Sequence, residues 1–271
     1  MTEAPPRPGL AVAATAPFGA DVLDRLADRY DIAYLLTRPD RRRGRGRKLA
    51  PPPAKITAER LGIPVRQPEG LNDTFDPAAG TIVVVAYGAL IPARLLDRAL
   101  WLNVHPSLLP RWRGAAPVER ALIAGDHQTG VTIHRTTAQL DAGPIAAQRA
   151  FPIDPADDAG AVYDKAARLA GELLEAVLPA ARFVPQPEEG VTYAEKLTAA
   201  DRELDLSKPP EELVRHVRAL SPHIGARTEL HGRPVIVWKA GVEDNRFQPL
   251  EVQPEGRRRM SYDEFLRGLR G

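Results

Sequence analysis

The strongest constraint on this chain is a set of short runs that are apolar on both faces. Leu10-Ala11-Val12-Ala13-Ala14, Asp31-Ile32-Ala33-Tyr34-Leu35-Leu36, Ile82 to Ala86 and Leu100 to Val104 show little polar alternation. A strand of that kind must be covered above and below, the condition met in parallel sheets flanked by helices. Between the runs lie helical patterns: the stripe Val22, Leu23 and Leu26, the segment Ala54–Leu61, and Ala116–Ala124 ending at Gly125. Val131 to Arg135 and Ile145 to Phe151 read as late strands, and Ala159–Ala181 as a long helix with Val162, Ala166, Leu169 and Leu173 on one face. Strands alternating with helices predict an α/β fold with a Rossmann-like, largely parallel sheet. Thr37 to Lys55 interrupts the pattern with Pro39, Gly44, Gly46 and Pro51 to Pro53, and is read as irregular.

Composition narrows the class. The absence of cysteine among 271 residues removes disulfides, thiol nucleophiles and thiolate metal sites. Met1 to Gly9 is polar and proline-rich rather than a signal sequence, and no run reaches the roughly 18 apolar residues of a membrane span. A cytoplasmic protein without membrane contact is expected. After the long helix the pattern changes. Pro185 to Lys208 has little apolar periodicity and reads as a linker, with Tyr193 as its anchor. Pro209–Leu220 is a helix with the stripe Leu213, Val217 and Leu220. Ala226 to Leu230, Pro234 to Ala240 and Leu250 to Val252 read as antiparallel strands, and Ser261 to Arg267 as a terminal helix before Gly268. The expected domains are 1–184, a linker at 185–208, and a small α+β domain at 209–271.

The polar chemistry gathers in Asn103-Val104-His105-Pro106-Ser107-Leu108-Leu109-Pro110-Arg111-Trp112-Arg113-Gly114. Asn103 and His105 are two apart, so on an extended backbone both face the same side. Open α/β sheets bind ligands at such carboxyl ends of strands. The first strand is followed by Thr15-Ala16-Pro17-Phe18-Gly19, not G-x-G-x-x-G, and no phosphate-binding P-loop occurs. Asp141 sits in Gln139-Leu140-Asp141-Ala142-Gly143-Pro144. It either forms an ordinary Asx turn or reaches His105, fixing the imidazole tautomer and favouring its charged form. His134 alternates with strand residues and is read as packed or on the surface; His127, His216, His223 and His231 lack ligand spacing, so no metal is expected. Six arginines and one lysine between Arg38 and Lys48 face a single Asp40. Such a run is either a solvated face or a phosphate-binding loop, to which arginine is better suited than lysine.

These residues carry a resemblance. The stretch from Asn103 to Pro117, with Gly130-Val131-Thr132-Ile133 and Leu140-Asp141-Ala142-Gly143, resembles the folate-dependent formyltransferases. Thr37-Arg38-Pro39-Asp40 with Gly44-Arg45-Gly46-Arg47-Lys48-Leu49, Thr192 to Leu197, and Leu250 to Gly256 are similar to the methionyl-tRNA formyltransferase branch. The resemblance implies transfer of a formyl group from 10-formyltetrahydrofolate to the amine of charged initiator tRNA through a tetrahedral intermediate, by a monomer and without metal. It assigns Asn103 to the oxyanion, His105 to proton transfer and Asp141 to orienting His105. It places Ser107, Leu108, Leu109 and Pro110 along the folate, with Tyr87, Gly88 and Leu90 as a pocket wall. It gives Arg38, Arg41, Arg42, Arg43, Arg45, Arg47 and Lys48 to the tRNA. The family's OB-like barrel has at least five strands, whereas Ser221 to Met260 holds about four at ordinary strand and loop lengths. A reduced OB-like domain is therefore expected, with an apparent deletion between Asp244 and Pro249. Two rivals remain: a sugar-nucleotide N-formyltransferase, which would have little use for the arginine loop, and a catalytically inactive tRNA-binding protein.

Overall fold

The structure, a computed structural model, describes residues 9–43, 48–72 and 74–269. The chain forms two compact units. One holds the residues up to Pro110, Gly130–Arg149 and Asp164–Val191; the other holds Arg111–Thr129, Ala150–Tyr163 and the residues from Thr192 on.

The first unit is built on a seven-stranded sheet. β1 (Leu10–Ala14), β2 (Ile32–Leu36), β5 (Val65–Arg66), β6 (Thr81–Val85) and β7 (Leu100–His105) pair in parallel in the order β7-β6-β1-β2-β5. β9 (Gln128–Arg135) joins β7 antiparallel, and β10 (Ile145–Pro152) lies outside it. The apolar runs are these strands, and most of their side chains are buried as covered parallel strands require, Ala33 being exposed. α1 (Pro17–Ala27) buries Val22, Leu23 and Leu26. A Cβ at Gly19 would lie 2.6 Å from the Val85 carbonyl oxygen and 2.7 Å from the Ala14 Cβ. The alanine that ends the first strand and the glycine of the helix therefore complement each other, and α1 seats close to the strand ends. α2 (Pro53–Arg60) and the short α3 (Ala93–Leu96) complete the crossovers, and α5 (Ala159–Val177) stops before Pro179. From β1 the chain winds one way to β2 and β5, then crosses to β6 and β7 on the other side. The order therefore reverses between β1 and β6, the topological position where such sheets open a ligand crevice.

Among its described residues, the stretch Thr37 to Lys55 is not irregular throughout. β3 (Arg41–Arg43) and β4 (Lys48–Ala50) pair antiparallel, Arg41 with Ala50 and Arg42 with Leu49. A two-stranded ribbon buries neither face, so it needs no apolar period, and its arginines and glycines hid it.

In the second unit, α4 (Pro117–Ala124) and α6 (Pro210–Leu220) pack around Val118, Leu122, Val162 and Ala219. A four-stranded antiparallel sheet follows, ordered β12 (Ala226–Leu230), β13 (Arg233–Glu243), β14 (Arg246–Pro254) and β15 (Met260–Ser261). Leu213, Val217, Val235, Val237, Val252 and Phe265 form its core, closed by α7 (Tyr262–Arg267). Ser261 and Glu264 make a reciprocal capping box at the start of that helix. The apparent deletion is a tight hairpin: Asp244 and Asn245 both have positive φ, 46° and 58°, as a two-residue type I′ turn demands. β8 (Arg113–Gly114) pairs in parallel with β11 (Tyr193–Ala194). Tyr193 does not anchor this segment, for it is 58% exposed while Ala194 is buried. Successive strand residues face opposite sides, and the hold comes from backbone pairing and Ala194. Of the arginines of the tail, Arg259 stacks 3.5 Å above the Trp238 ring and donates to the Pro222 carbonyl. No helix among the described residues is long and apolar enough to cross a membrane.

Candidate active site

Asn103 and His105 end β7, and the antiparallel register sets Asn103 opposite His134 and His105 opposite Thr132 on β9. Asp141 follows β9 in a turn where its own φ is 46°, a left-handed value that aspartate tolerates better than most residues. One carboxylate gathers the strand residues. Asn103 Nδ2 donates to Asp141 Oδ1 at 2.9 Å, and His105 Nδ1 lies 3.7 Å from Asp141 Oδ2. The second distance is within ion-pair range and longer than a hydrogen bond; such contacts tighten when substrate binds. His105 is 4% exposed and Asn103 half-buried, so the carboxylate acts in a medium poorer in water than the surface. Of the two sequence readings of Asp141, the one that brings it to His105 matches this geometry.

Two partners of the cluster escaped the sequence reading. His134 is 1% exposed, and its Nε2 lies 3.1 Å from Asn103 Nδ2 and 3.6 Å from Asp141 Oδ1. Of the two expected places, packed or on the surface, it takes the first, and it is packed into the site. The only signal was its parity with Thr132, which becomes meaningful once β9 is paired with β7. Gln186, in the stretch read as linker, donates to the backbone carbonyls of Asp141 and Gly143, both at 2.8 Å. Gly143 is demanded by contact: a Cβ there would lie 1.7 Å from the Arg135 carbonyl oxygen.

The segment after His105 is held from below. Thr132 Oγ1 donates to the Ser107 carbonyl at 2.7 Å and accepts from Leu109 N at 3.2 Å, while Gln148 Nε2 donates to the Leu109 carbonyl at 2.9 Å. Ser107 and Leu109 are buried, and Leu108 and Pro110 half-buried. Tyr87 and Gly88 follow β6 at the switch point, where Thr15 Oγ1 donates to the Tyr87 carbonyl at 2.8 Å. Tyr87 packs with Leu95 and Trp101, and burial raises its phenol above the ordinary range. Gly88 and Leu90 are exposed, Leu90 at 87%.

Among the basic residues, Arg38 is half-buried at the end of β2, and its carbonyl accepts from Gln67. Arg41, Arg42 and Lys48 are exposed on the ribbon formed by β3 and β4, and Arg43 is in β3. Arg45 and Arg47 lie outside the described residues. Asp40, the one acid of the run, accepts from Gln67 at 2.7 Å and from Lys55 at 2.9 Å. Those two hydrogen bonds hold its carboxyl below the usual range. Its charge is thus committed to Lys55, on the helix that follows the ribbon. Among the described residues no group of three or more histidines or acids is arranged to hold a metal ion.

The chain is similar to known proteins over most of its length. The Formyl transferase family profile matches residues 10–178, and the Formyl transferase C-terminal domain profile matches 196–249. The methionyl-tRNA formyltransferase of Halorhodospira halophila is 41% identical, over 95% of this chain and 95% of its own. Among solved structures, HypX of Aquifex aeolicus in complex with tetrahydrofolic acid has a TM-score of 0.68 at 16% identity, covering 96% of this chain and 46% of that one. The methionyl-tRNA formyltransferase of Clostridium thermocellum has a TM-score of 0.64 at 12% identity, covering 91% of this chain and 98% of its own. These two structures share the fold. Profile and sequence identity together give the kinship: the chain belongs to the formyl transferase family.

Proposed function

We propose that the chain transfers a formyl group from 10-formyltetrahydrofolate to the free amino group of methionyl-initiator tRNA. The observation that carries this reading is the single carboxylate of Asp141 shared by Asn103 and His105 at the end of β7, in a chain so similar to a methionyl-tRNA formyltransferase. The donor brings the formyl group, and the acceptor amine is the nucleophile, so the protein needs to supply none. Attack develops negative charge on the formyl oxygen, and the Asn103 amide is the donor suited to stabilise it. His105 takes the proton from the attacking nitrogen and delivers it to the leaving one. Asp141 orients both. Folate lies along Ser107 to Pro110 with Tyr87, Gly88 and Leu90 at the switch point. The fit is supported by how Thr132 and Gln148 fix that backbone. Arg38, Arg41, Arg42, Arg43, Arg45, Arg47 and Lys48 contact the tRNA. In this reading 1–184 is the catalytic domain, 185–208 a linker and 209–271 a reduced tRNA-binding domain of a cytoplasmic monomer.

The test compares formyl transfer to charged initiator tRNA with transfer to an amino-sugar nucleotide. Formylated tRNA alone is expected. A formylated sugar would keep Asn103, His105 and Asp141 in their roles and reassign the ribbon; tRNA bound without turnover would leave a binding protein.

A further inference from the structure

His134 makes a pair of contacts that the formyl-transfer reading leaves unused. Its Nδ1 lies 3.0 Å from the carbonyl oxygen of Arg135, and its Nε2 lies 3.1 Å from Asn103 Nδ2. A carbonyl oxygen only accepts, so Nδ1 carries the proton of the neutral ring and Nε2 presents a lone pair. Asn103 Nδ2 therefore donates one hydrogen to His134 and the other to Asp141 Oδ1 at 2.9 Å. Turning the amide over would set its oxygen against two acceptors at once. The terminal torsion of asparagine is broad and roughly two-fold, so a single acceptor holds it loosely. Two acceptors on different sides define one orientation.

We propose that His134 is a positioning residue for Asn103: its Nδ1-protonated imidazole, pinned by the Arg135 carbonyl, pre-orients the amide that meets the formyl oxygen. The inference rests on the reading of Asn103 as the oxyanion donor. When charge develops on the formyl oxygen, the hydrogen that His134 holds at rest is the one to transfer its bond. The bond to Asp141 is assisted by charge and roughly twice as strong as one between neutral groups. The formyl oxygen thus meets an amide whose plane is already set by Asp141 and His134, and the Asn103 side chain need not turn about its terminal torsion in the transition state. The same carbonyl that pins the ring is the one that excludes a side chain at Gly143, so the turn bearing Asp141 closes over the hinge of His134.

Two measurements test this on the full chain. Long-range 1H–15N NMR of the wild-type protein is expected to show His134 with a protonated Nδ1 and an acceptor-type Nε2; the opposite tautomer would overturn the proposal without reference to any activity. His134→Phe keeps a ring of similar size and removes the acceptor, whereas His134→Gln restores an acceptor oxygen. With both variants folded by near-UV circular dichroism, kcat for formyl transfer is expected to fall roughly tenfold in His134→Phe, with KM for tRNA and for the formyl donor within about twofold. His134→Gln is expected to recover most of the loss. Equal losses in both variants, or an unchanged or raised kcat in His134→Phe, would make the ring mere packing. Should His134→Phe not fold, the tautomer and the His134→Gln rate still decide. Absence of turnover in the wild-type protein would strike the formyl-transfer reading instead, and full turnover in Asn103→Ala would strike the oxyanion role of Asn103 on which the inference rests, so the failures are told apart.

Discussion

At the scale of single residues the site is a problem in hydrogen-bond supply. One carboxylate, Asp141, is within reach of an amide and two imidazoles. Replacing Asn103 by alanine removes the donor to the formyl oxygen, and single-turnover rates are expected to drop about 10²–10³-fold. Replacing His105 by alanine is expected to cost roughly 10²–10⁴-fold with tRNA binding retained, as gel-shift titration would report. Wild-type turnover of either variant removes that residue from the mechanism. The parity of Asn103 and His105 was legible from sequence because it follows from strand geometry alone. The place of His134 was not, since it depends on which strand lies beside β7 and in what register. Periodicity says which side chains share a face and leaves the neighbour unnamed.

Elements set how firmly these residues are held. The turn bearing Asp141 is fixed at its backbone by Gln186, from the segment beyond α5, through two carbonyls. Gln186→Leu keeps much of the volume and removes both donors. The expected result is a kcat loss of roughly tenfold with KM little changed, and faster amide exchange confined to residues 139–144. Unaltered exchange would mean the turn stands alone. The ribbon of β3 and β4 acts at the same scale. Arg42→Ala with Lys48→Ala is expected to raise KM for tRNA and to flatten the dependence of log K on log salt by about 0.7–0.9 for each phosphate no longer neutralised; an unchanged slope would return the ribbon to solvent. The long apolar strands and helical stripes were readable because burial on two faces leaves a compositional mark. The ribbon, the two-residue pairing of β8 with β11 and the turn at Asp244 and Asn245 left none. Each is held by backbone hydrogen bonds, to which sequence pattern is nearly blind.

For the molecule as a whole, two acids set opposite dependences of stability on pH. Asp201 accepts from Arg120 at 2.7 Å, and that bond with those from Thr198 lowers its carboxyl to about 2 from 3.8. A lowered folded value adds stability above the unfolded value, lost as pH falls from about 4 toward 2. Asp201→Asn is expected to flatten the urea midpoint across that window. Glu119 is shifted the other way: burial raises its carboxyl against the lowering effect of the Tyr163 hydroxyl. The group favours the fold fully below its ordinary value of 4.5, and that contribution is lost as pH rises through the raised value. Glu119→Gln removes the buried charge and is expected to raise Tm at pH 8 more than at pH 4, by about 2–4 °C for each kcal/mol relieved. An equal effect at both pH values would show that Glu119 ionises without penalty. The two compact units do not follow the change of composition after the long helix: the second takes in Arg111–Thr129 and Ala150–Tyr163 from before it, and Gln186 shows that a stretch without periodicity still serves the first unit. The bonds of Gln186 also bear on the order of synthesis. All three residues assigned to chemistry leave the ribosome before residue 142, but the side chain that clasps the turn of Asp141 follows 45 residues after it. A nascent chain ending at the close of α5 carries the reactive groups and lacks the clasp, so the last act in building this site is performed by a residue that never meets the substrate.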